Sequence, residues 1–554
     1  MTDESKFFSY NPYNDSYTRL CKVYGICTKS HAEEAIEEYL FQGLKYLSFY
    51  AKKIEEYQKV PEIFFDVVVN VLFSSIKNVE IDKQEVEAIL QEIQKTEREL
   101  KSIYKELMKQ NNKQMDILTK ENRWHLTYKV NEYILEGEKL INLKAKLFSR
   151  EKSGLYELLT VCLKGIAKTV IQTKSFGIIN DEINKFFLDI LFELTKKPTK
   201  AQMKEMLLEC GKVNIQAVNE LKKALKERYG YIEKTKVRIS PIKGKAILVS
   251  GRDIKQLEDI LRFTVSEKIN IYTHGEMLYA HTLPEITKFE NLAGHYGGVS
   301  TDQQLELEHF PGPIFMTSDC SWNPPEVFRG RLFTSGLPNL AGIKQIANQE
   351  YNELIKAAQD SEGFLEDAET QYIEVGFDEE RFKKYMEDIE DNIQKGVIDE
   401  VFLLAGCSNS NVRKKYIDKF IKNLPPKSIL IKFSGLQYDY PADIQNIDDI
   451  PKILDFGMFN DLFFIIKFFE KSDHLNINLI KSKDFSMIFF LREQSSVVML
   501  FSVYILCNQL KNIKIGACSS FSMLSPNIFK AMEQNFDIKT VTSAKADIEY
   551  FMKS

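Results

Sequence analysis

The sequence predicts a multidomain protein: an all-α helical-bundle domain at 1–235, then two α/β (Rossmann-like, parallel-sheet) domains at 236–383 and 384–554. Three observations carry this. A chain of 554 residues exceeds what one hydrophobic core organises. Over residues 32–235, Leu, Ile, Phe and Tyr recur at three- and four-residue spacing with few glycines, and Glu and Lys fill the other positions, the period of amphipathic helices. After Ile239 short apolar runs ended by polar or glycine residues alternate with helical periods, as parallel sheets covered by helices require.

The helical stretch carries a weak internal repeat. Phe41-Gln42-Gly43-Leu44-Lys45, Val71-Leu72-Phe73 and Glu87-Ala88-Ile89-Leu90 are echoed by Cys162-Leu163-Lys164-Gly165-Ile166-Ala167, Ile190-Leu191-Phe192 and Glu205-Met206-Leu207-Leu208. Each copy is expected to form one small antiparallel helical unit, with glycine allowing close helix approach. Between the copies, Asp82 to Phe148 is rich in Lys and Glu and reads as a pair of long solvated helices; a partner-binding hairpin is the other reading.

In the second half, Lys245–Gly251 is an apolar run ended by glycine and followed by a helical period from Ile254 to Phe263. Ile269–Tyr272, Pro313–Thr317, Val401–Gly406, Ser428–Lys432 and Ile513–Gly516 repeat the strand pattern, with a junction between domains near 360–385. In such folds the loops at the carboxyl ends of strands carry the site. Those loops hold Gly251-Arg252-Asp253, His274-Gly275-Glu276, Asp319-Cys320, Gly406-Cys407 and Ser434-Gly435.

A net charge of −5, from 74 basic and 79 acidic residues, argues against nucleic acid or an anionic membrane as partner. No apolar run has the roughly 18 residues that a membrane span needs, and the polar start Met1-Thr2-Asp3-Glu4 lacks a signal core, so a cytoplasmic protein is expected. In that setting the eight cysteines are buried small hydrophobes or metal ligands rather than a disulfide framework. Cys162, Cys210 and Cys507 lie in apolar helical patterns and read as packing; Cys518, with Gly516 before it, reads as packing rather than ligand. His274 and His281, seven apart around Glu276, read as polar residues that position the loop, with a mononuclear metal site as the alternative. Gly294-His295-Tyr296-Gly297-Gly298 lacks the lysine and Ser/Thr of a phosphate loop and reads as a glycine-rich turn.

An ordered set of motifs resembles the hybrid cluster protein (hydroxylamine reductase, prismane) family. It runs through Tyr272-Thr273-His274-Gly275-Glu276-Met277-Leu278 with Ala280-His281, Pro311–Cys320, and Arg331–Gly336. It continues with Leu404-Ala405-Gly406-Cys407, Ile450–Asp455 with Asn460-Asp461, Glu493-Gln494, and Ser525-Pro526-Asn527. The resemblance implies a helical domain and two α/β domains, with a hybrid 4Fe-2O-2S cluster where they meet and a 4Fe-4S cubane near the N-terminus. It implies reduction of hydroxylamine to ammonia or of nitric oxide to nitrous oxide, an electron donor as redox partner, and a place in nitrogen stress.

The implied metal ligands present here are Glu276, Cys320, Cys407 (at the persulfide-bearing position) and Glu493, with Cys407 and Glu493 the residues at which catalysis is implied. Cys21 and Cys27 keep the last spacing of the cubane motif Cys-x2-Cys-x8-Cys-x5-Cys. Three of seven hybrid-cluster positions depart from the pattern: the histidine falls on Arg252, and two cysteines fall on Ser434 and Phe459. Two of four cubane positions fall on Ser9 and Pro12. A guanidinium has no lone pair for iron, and a phenyl ring and a proline have no donor at all. With two glutamates retained, the cationic substitution leads to a specific expectation: Arg252 pairs with Glu276 or Glu493 in place of the metal's charge.

Two functions follow. One is an iron–sulfur oxidoreductase of the hydroxylamine reductase type, degenerate or altered in this copy. The other is a non-catalytic descendant, a pseudoenzyme that binds or scaffolds through the charged helices near 82–148. Thiol chemistry at Cys407, carrying a persulfide or nitrosyl group, lies between them.

Overall fold

The computed structural model describes residues 31–75, 83–116, 118–119, 123–297, 303–317, 326–335, 343–346, 350–376, 379–406, 411–433, 446–447, 450–455, 485–491, 494–507, 513–519 and 525–552. Seven helices come first: α1 (His31–Glu55), α2 (Glu62–Ser74), α3 (Lys83–Gln110), α4 (Val130–Leu147), α5 (Arg150–Ser175), α6 (Asp181–Thr195) and α7 (Lys200–Tyr229). Their ends follow local chemistry. Ser149 caps α5 by accepting from the Lys152 amide, Asn180 caps α6, and Thr199 with Gln202 forms a capping box on α7.

The internal repeat is a repeat of structure. Helices α5 and α6 begin 119 residues after α1 and α2 (150 against 31, 181 against 62), and α7 follows as α3 does. The copies are not independent units. In each, the first helix packs on the third, while α1 also packs on α6 and α2 on α5, so the copies exchange partners. The charged run does not lie between the copies as solvated helices. Helix α3 is the third helix of the first copy and buries Val86, Ile89, Leu90, Ile93, Leu100 and Tyr104. Helix α4 is inserted and lies so close to α1 that a Cβ on Gly137 would sit 1.8 Å from the Ala35 carbonyl oxygen. Between them the described residues are not helical, and Trp124 donates its indole N–H to the Tyr39 carbonyl at 3.0 Å.

Beyond α7 the chain builds two parallel sheets. The first contains β2 (Ala246–Ser250), β3 (Asn270–His274), β4 (Leu292–His295), β5 (Ile314–Met316), β6 (Leu332–Ser335) and β7 (Lys344–Ile346), in the order β4-β3-β2-β5-β6-β7. The second contains β9 (Glu400–Gly406), β10 (Ser428–Phe433), β11 (Ile453–Asp455), β12 (Phe485–Leu491), β13 (Ile513–Ser519) and β14 (Ile538–Thr540), in the order β11-β10-β9-β12-β13-β14. Each order reverses once, between β2 and β5 and between β9 and β12, and such a reversal opens a crevice at the carboxyl ends of the strands. A two-stranded antiparallel ribbon of β1 (Thr235–Arg238) and β8 (Tyr372–Val375) closes the first sheet's stretch of chain. The expected strands are present, and β12, which the sequence reading passed over, stands at the centre of the second sheet.

One hydrophobic core unites the helical half with the second sheet. It joins Leu159 and Leu207 to Leu403, Ile431 and Phe489 through Val498 and Phe501 of the helix α9 (Gln494–Cys507). Glycines set this contact: a Cβ on Gly165 would meet the Gln494 carbonyl oxygen at 2.7 Å, and one on Gly211 the Phe501 backbone at 2.8 Å. Cys162, Cys210 and Cys507 are free and buried in this core, as expected of packing residues; burial, together with the neighbouring Cys210 thiol, pushes the Cys162 thiol well up. No described helix is long and apolar enough to cross a membrane.

Candidate functional site

Strands β2 and β3 end side by side, with Ser250 opposite His274, so the loops that follow leave the sheet at one edge. Gly251 and Gly275 make the turns off the strands at φ 120° and 60°, where a side chain would be strained. The Arg252 amide donates to Thr317 Oγ1 at 3.0 Å, and the Thr317 amide donates to the Ser250 carbonyl at 2.9 Å. Thr317 follows β5, so Arg252 is held at the order reversal of the first sheet. Asp253 then caps the helix α8 (Ile254–Thr264) by accepting from the Gln256 amide at 3.1 Å.

From that position the Arg252 side chain grips Glu276 with both forks. Nη2 donates to Oε1 at 2.8 Å, and Nε donates to Oε2. The two side chains are 10% and 8% exposed, which makes this a nearly dry ion pair rather than a surface contact. The expected pairing of Arg252 with a retained glutamate is therefore present at Glu276. A cleft lined by Gln172, Ser175, Leu225, Arg252, Asp253 and Tyr279 opens beside it.

Below the pair lies a buried histidine layer. His274 bonds Ser250 Oγ through Nδ1 at 3.0 Å and Glu306 through Nε2 at 3.2 Å. Thr273 Oγ1 lies 2.8 Å from both His281 Nε2 and His295 Nδ1. A hydroxyl has one proton, so it donates to one ring and accepts from the other. One ring therefore donates to Thr273 and the other accepts from it, and His295 Nε2 is buried without a hydrogen-bond partner. The Gly294 backbone also lies against His281. Burial pushes His281 down to about 4, and burial plus the neighbouring His274 and His281 push His295 well down, so both rings are neutral at physiological pH.

The loop-positioning reading of His274 and His281 agrees with these bonds, because their nitrogens are spent on Ser250, Glu306, Thr273 and Gly294. Among the described residues no group of three His, Cys, Asp or Glu side chains could hold a metal ion. Cys21, Cys27, Cys320, Cys407 and Glu493 lie outside the described residues, as do Ser434, Phe459 and the cubane positions Ser9 and Pro12. The strands that lead to Cys407 and Glu493, β9 and β12, are neighbours, with Gly406 paired to Phe490. Thr317, Glu306 and His295 were not singled out for these roles from sequence: their partners lie 65, 32 and 22 residues away, and no local pattern marks them.

Residues 18–549 match the family described as Prismane/CO dehydrogenase. The chain belongs to that family. It is 28% identical over 545 residues to the hydroxylamine reductase of Thermodesulfovibrio yellowstonii, covering 96% of this chain and 98% of that one. It is 30% identical over 547 residues to the hydroxylamine reductase of Kosmotoga olearia, covering 97% of each. Among solved structures it is similar to carbon monoxide dehydrogenase IV from Carboxydothermus hydrogenoformans, at 12% identity and a TM-score of 0.49, covering 97% of this chain and 94% of that one.

A prismane-family chain implies iron–sulfur clusters, and the described residues test one position, Glu276, at which the resemblance places a ligand. That position does not fit the role. Both oxygens of Glu276 are taken by a guanidinium, which brings a fixed positive charge where a cationic metal would have to approach.

Proposed function

We propose that this chain is a hydroxylamine-reductase-like protein whose hybrid-cluster site has been rebuilt as a salt-bridged joint, so that the family's reduction of hydroxylamine or nitric oxide is not carried on a complete hybrid cluster here. The observation that carries the reading is the bidentate Arg252–Glu276 pair, which neutralises the carboxylate the metal would have used. Ser434 and Phe459 support it from the sequence, since neither supplies the soft thiolate of the family pattern. The chain then persists as a binding protein of this fold, with the three-part division at 1–235, 236–383 and 384–554 and a cytoplasmic setting, in which free buried thiols are at home.

A second reading is favoured by the second sheet. Neighbouring strands β9 and β12 lead to Cys407 and Glu493, a thiol and a carboxylate whose donor types suit a smaller iron centre, or a persulfide-bearing thiol that draws on an electron donor. One experiment separates them. Protein purified without oxygen is assayed for iron and acid-labile sulfide per chain, and for hydroxylamine reduction by a reduced viologen dye. The main reading expects a folded, colourless, inactive protein. Four or more irons with matching sulfide and turnover overturn it, and one or two irons select the smaller centre.

A further inference from the structure

The helical repeat shows where a second feature, independent of the metal chemistry, is built. The 119-residue register of the copies places Lys45 with Lys164, Glu37 with Tyr156, and Glu38 with Glu157. One half keeps conventional pairs: Lys164 Nζ donates to Glu37 at 2.9 Å and to the Ser75 carbonyl at 3.2 Å, and Lys144 from the inserted α4 pairs with Glu38. The other half has lost them. Lys45 Nζ donates to the Tyr156 hydroxyl at 3.1 Å and lies over the Phe41 and Tyr156 rings, where its counterpart meets a carboxylate.

Glu157, the counterpart of Glu38, has a single hydroxyl for a partner: Ser525 Oγ donates to its Oε2. Its Oε1 is shut off from solvent with no hydrogen bond. Ser525 is the residue before helix α10 (Pro526–Phe536), which crosses from β13 to β14 of the second sheet. It spends its hydroxyl on Glu157 rather than on capping its own helix. One turn earlier on α5, Gly154 lets the Asn527 carbonyl in so closely that a Cβ there would lie 2.2 Å from its oxygen. The carboxyl is thus wedged into the joint between the helical half and the second sheet.

We propose that protonation of Glu157 gates this joint: α10 seats tightly on α5 while the carboxyl is neutral and loosens when it ionises. A neutral carboxyl donates its own proton and tolerates a dry contact, whereas a carboxylate with one hydroxyl partner draws in water. The charged group acting on it is Lys144 on α4, which in turn pairs with Glu38 on α1 and acts on Lys45, the partner of the Tyr156 hydroxyl; Glu151, six residues earlier on α5, is engaged by Lys200 and Lys530. Burial holds Glu157 up at about 7 against the pull of Ser525 and Lys144, and burial brings Lys45 down to about 8. Between the ordinary carboxylate range and pH 7 the undocked state is ionised while the docked state keeps its proton, so docking weakens as pH rises through this window and levels off above it.

The test is hydrogen exchange of the α10 amides in the whole protein, corrected for intrinsic rates. Between pH 5 and pH 8 the protection of these amides falls roughly 100-fold, while α2 amides keep theirs. Glu157→Gln removes the pH dependence. Ser525→Ala, which keeps the carboxyl and removes the donor that favours its ionised form, moves the midpoint upward. Protection that is flat in the wild type, an unchanged slope in Glu157→Gln, or a midpoint unmoved by Ser525→Ala each overturns the proposal. Should Glu157→Gln fail to fold, the Ser525→Ala midpoint decides alone.

Discussion

Removing the Arg252 guanidinium tests the rebuilt site at its centre. Arg252→Ala leaves Glu276 in place, 8% exposed, with both of its arginine bonds gone. Each charge-assisted bond of this kind contributes about 1.5–3 kcal/mol net, and orphaning one member of a buried pair costs roughly 3–5 kcal/mol. The second figure is the relevant one, because the carboxylate stays buried while its guanidinium partner is removed. The expected loss is therefore roughly 3–5 kcal/mol, read as a lowered urea midpoint of the transition that unfolds the first sheet. A second variant isolates the cause. Arg252→Ala combined with Glu276→Gln should recover much of the loss, since a neutral amide of the same shape needs no cation. A loss under about 1 kcal/mol, or no recovery in the double variant, would refute the argument that this pair replaces a metal's charge.

Three further outcomes follow from the same geometry. Because His281 is held down to about 4 by burial while an unfolded histidine titrates near 6.5, the unfolded chain binds more protons between these values. Stability from this ring is fully present above pH 6.5 and is lost as pH falls toward 4, a contribution of roughly 2–4 kcal/mol; an NMR titration of the His281 ring near pH 6.5 would contradict this. Thr273→Val removes the hydroxyl that serves His281 and His295 at once, so two buried imidazole nitrogens lose partners; a cost of roughly 1–3 kcal/mol per nitrogen is expected in thermal unfolding, and a neutral effect would show the layer to be unimportant. Gly137→Ala should lower the melting temperature despite alanine's better helix propensity, by an overpacking cost of roughly 1–3 kcal/mol, because the new methyl meets the Ala35 carbonyl; an unchanged or raised melting temperature counts against the close α1–α4 contact.

Much of the architecture was legible because it is local. The spacing of Leu, Ile and Phe marks α1, α5 and α7, and the run Ala246–Ser250 is apolar at nearly every position because it is a central parallel strand buried on both faces. The repeat was legible in outline, but the exchange of partners between its copies was not, since periodicity says which face is apolar and not which helix will cover it. The strand Phe485–Leu491 was missed although strongly apolar, for a short apolar run without alternation reads as either element until its neighbours are known.

The site divides in the same way. Sequence by itself determined that position 252 holds a cation without a lone pair and position 276 a carboxylate, because ionisation and donor capacity belong to the side chains themselves. It also led to the expectation that Arg252 would pair with a retained glutamate. Only the tertiary structure decided that the partner is Glu276, that the fork is bidentate and nearly dry, and that Thr317 holds the backbone beneath it. It alone decided that Lys45 and Glu157 lack the carboxylate and ammonium their counterparts enjoy. The physical reason is common to these cases: a charge is written in one residue, but its desolvation and its partner come from residues tens to hundreds of positions away, brought together only by the fold.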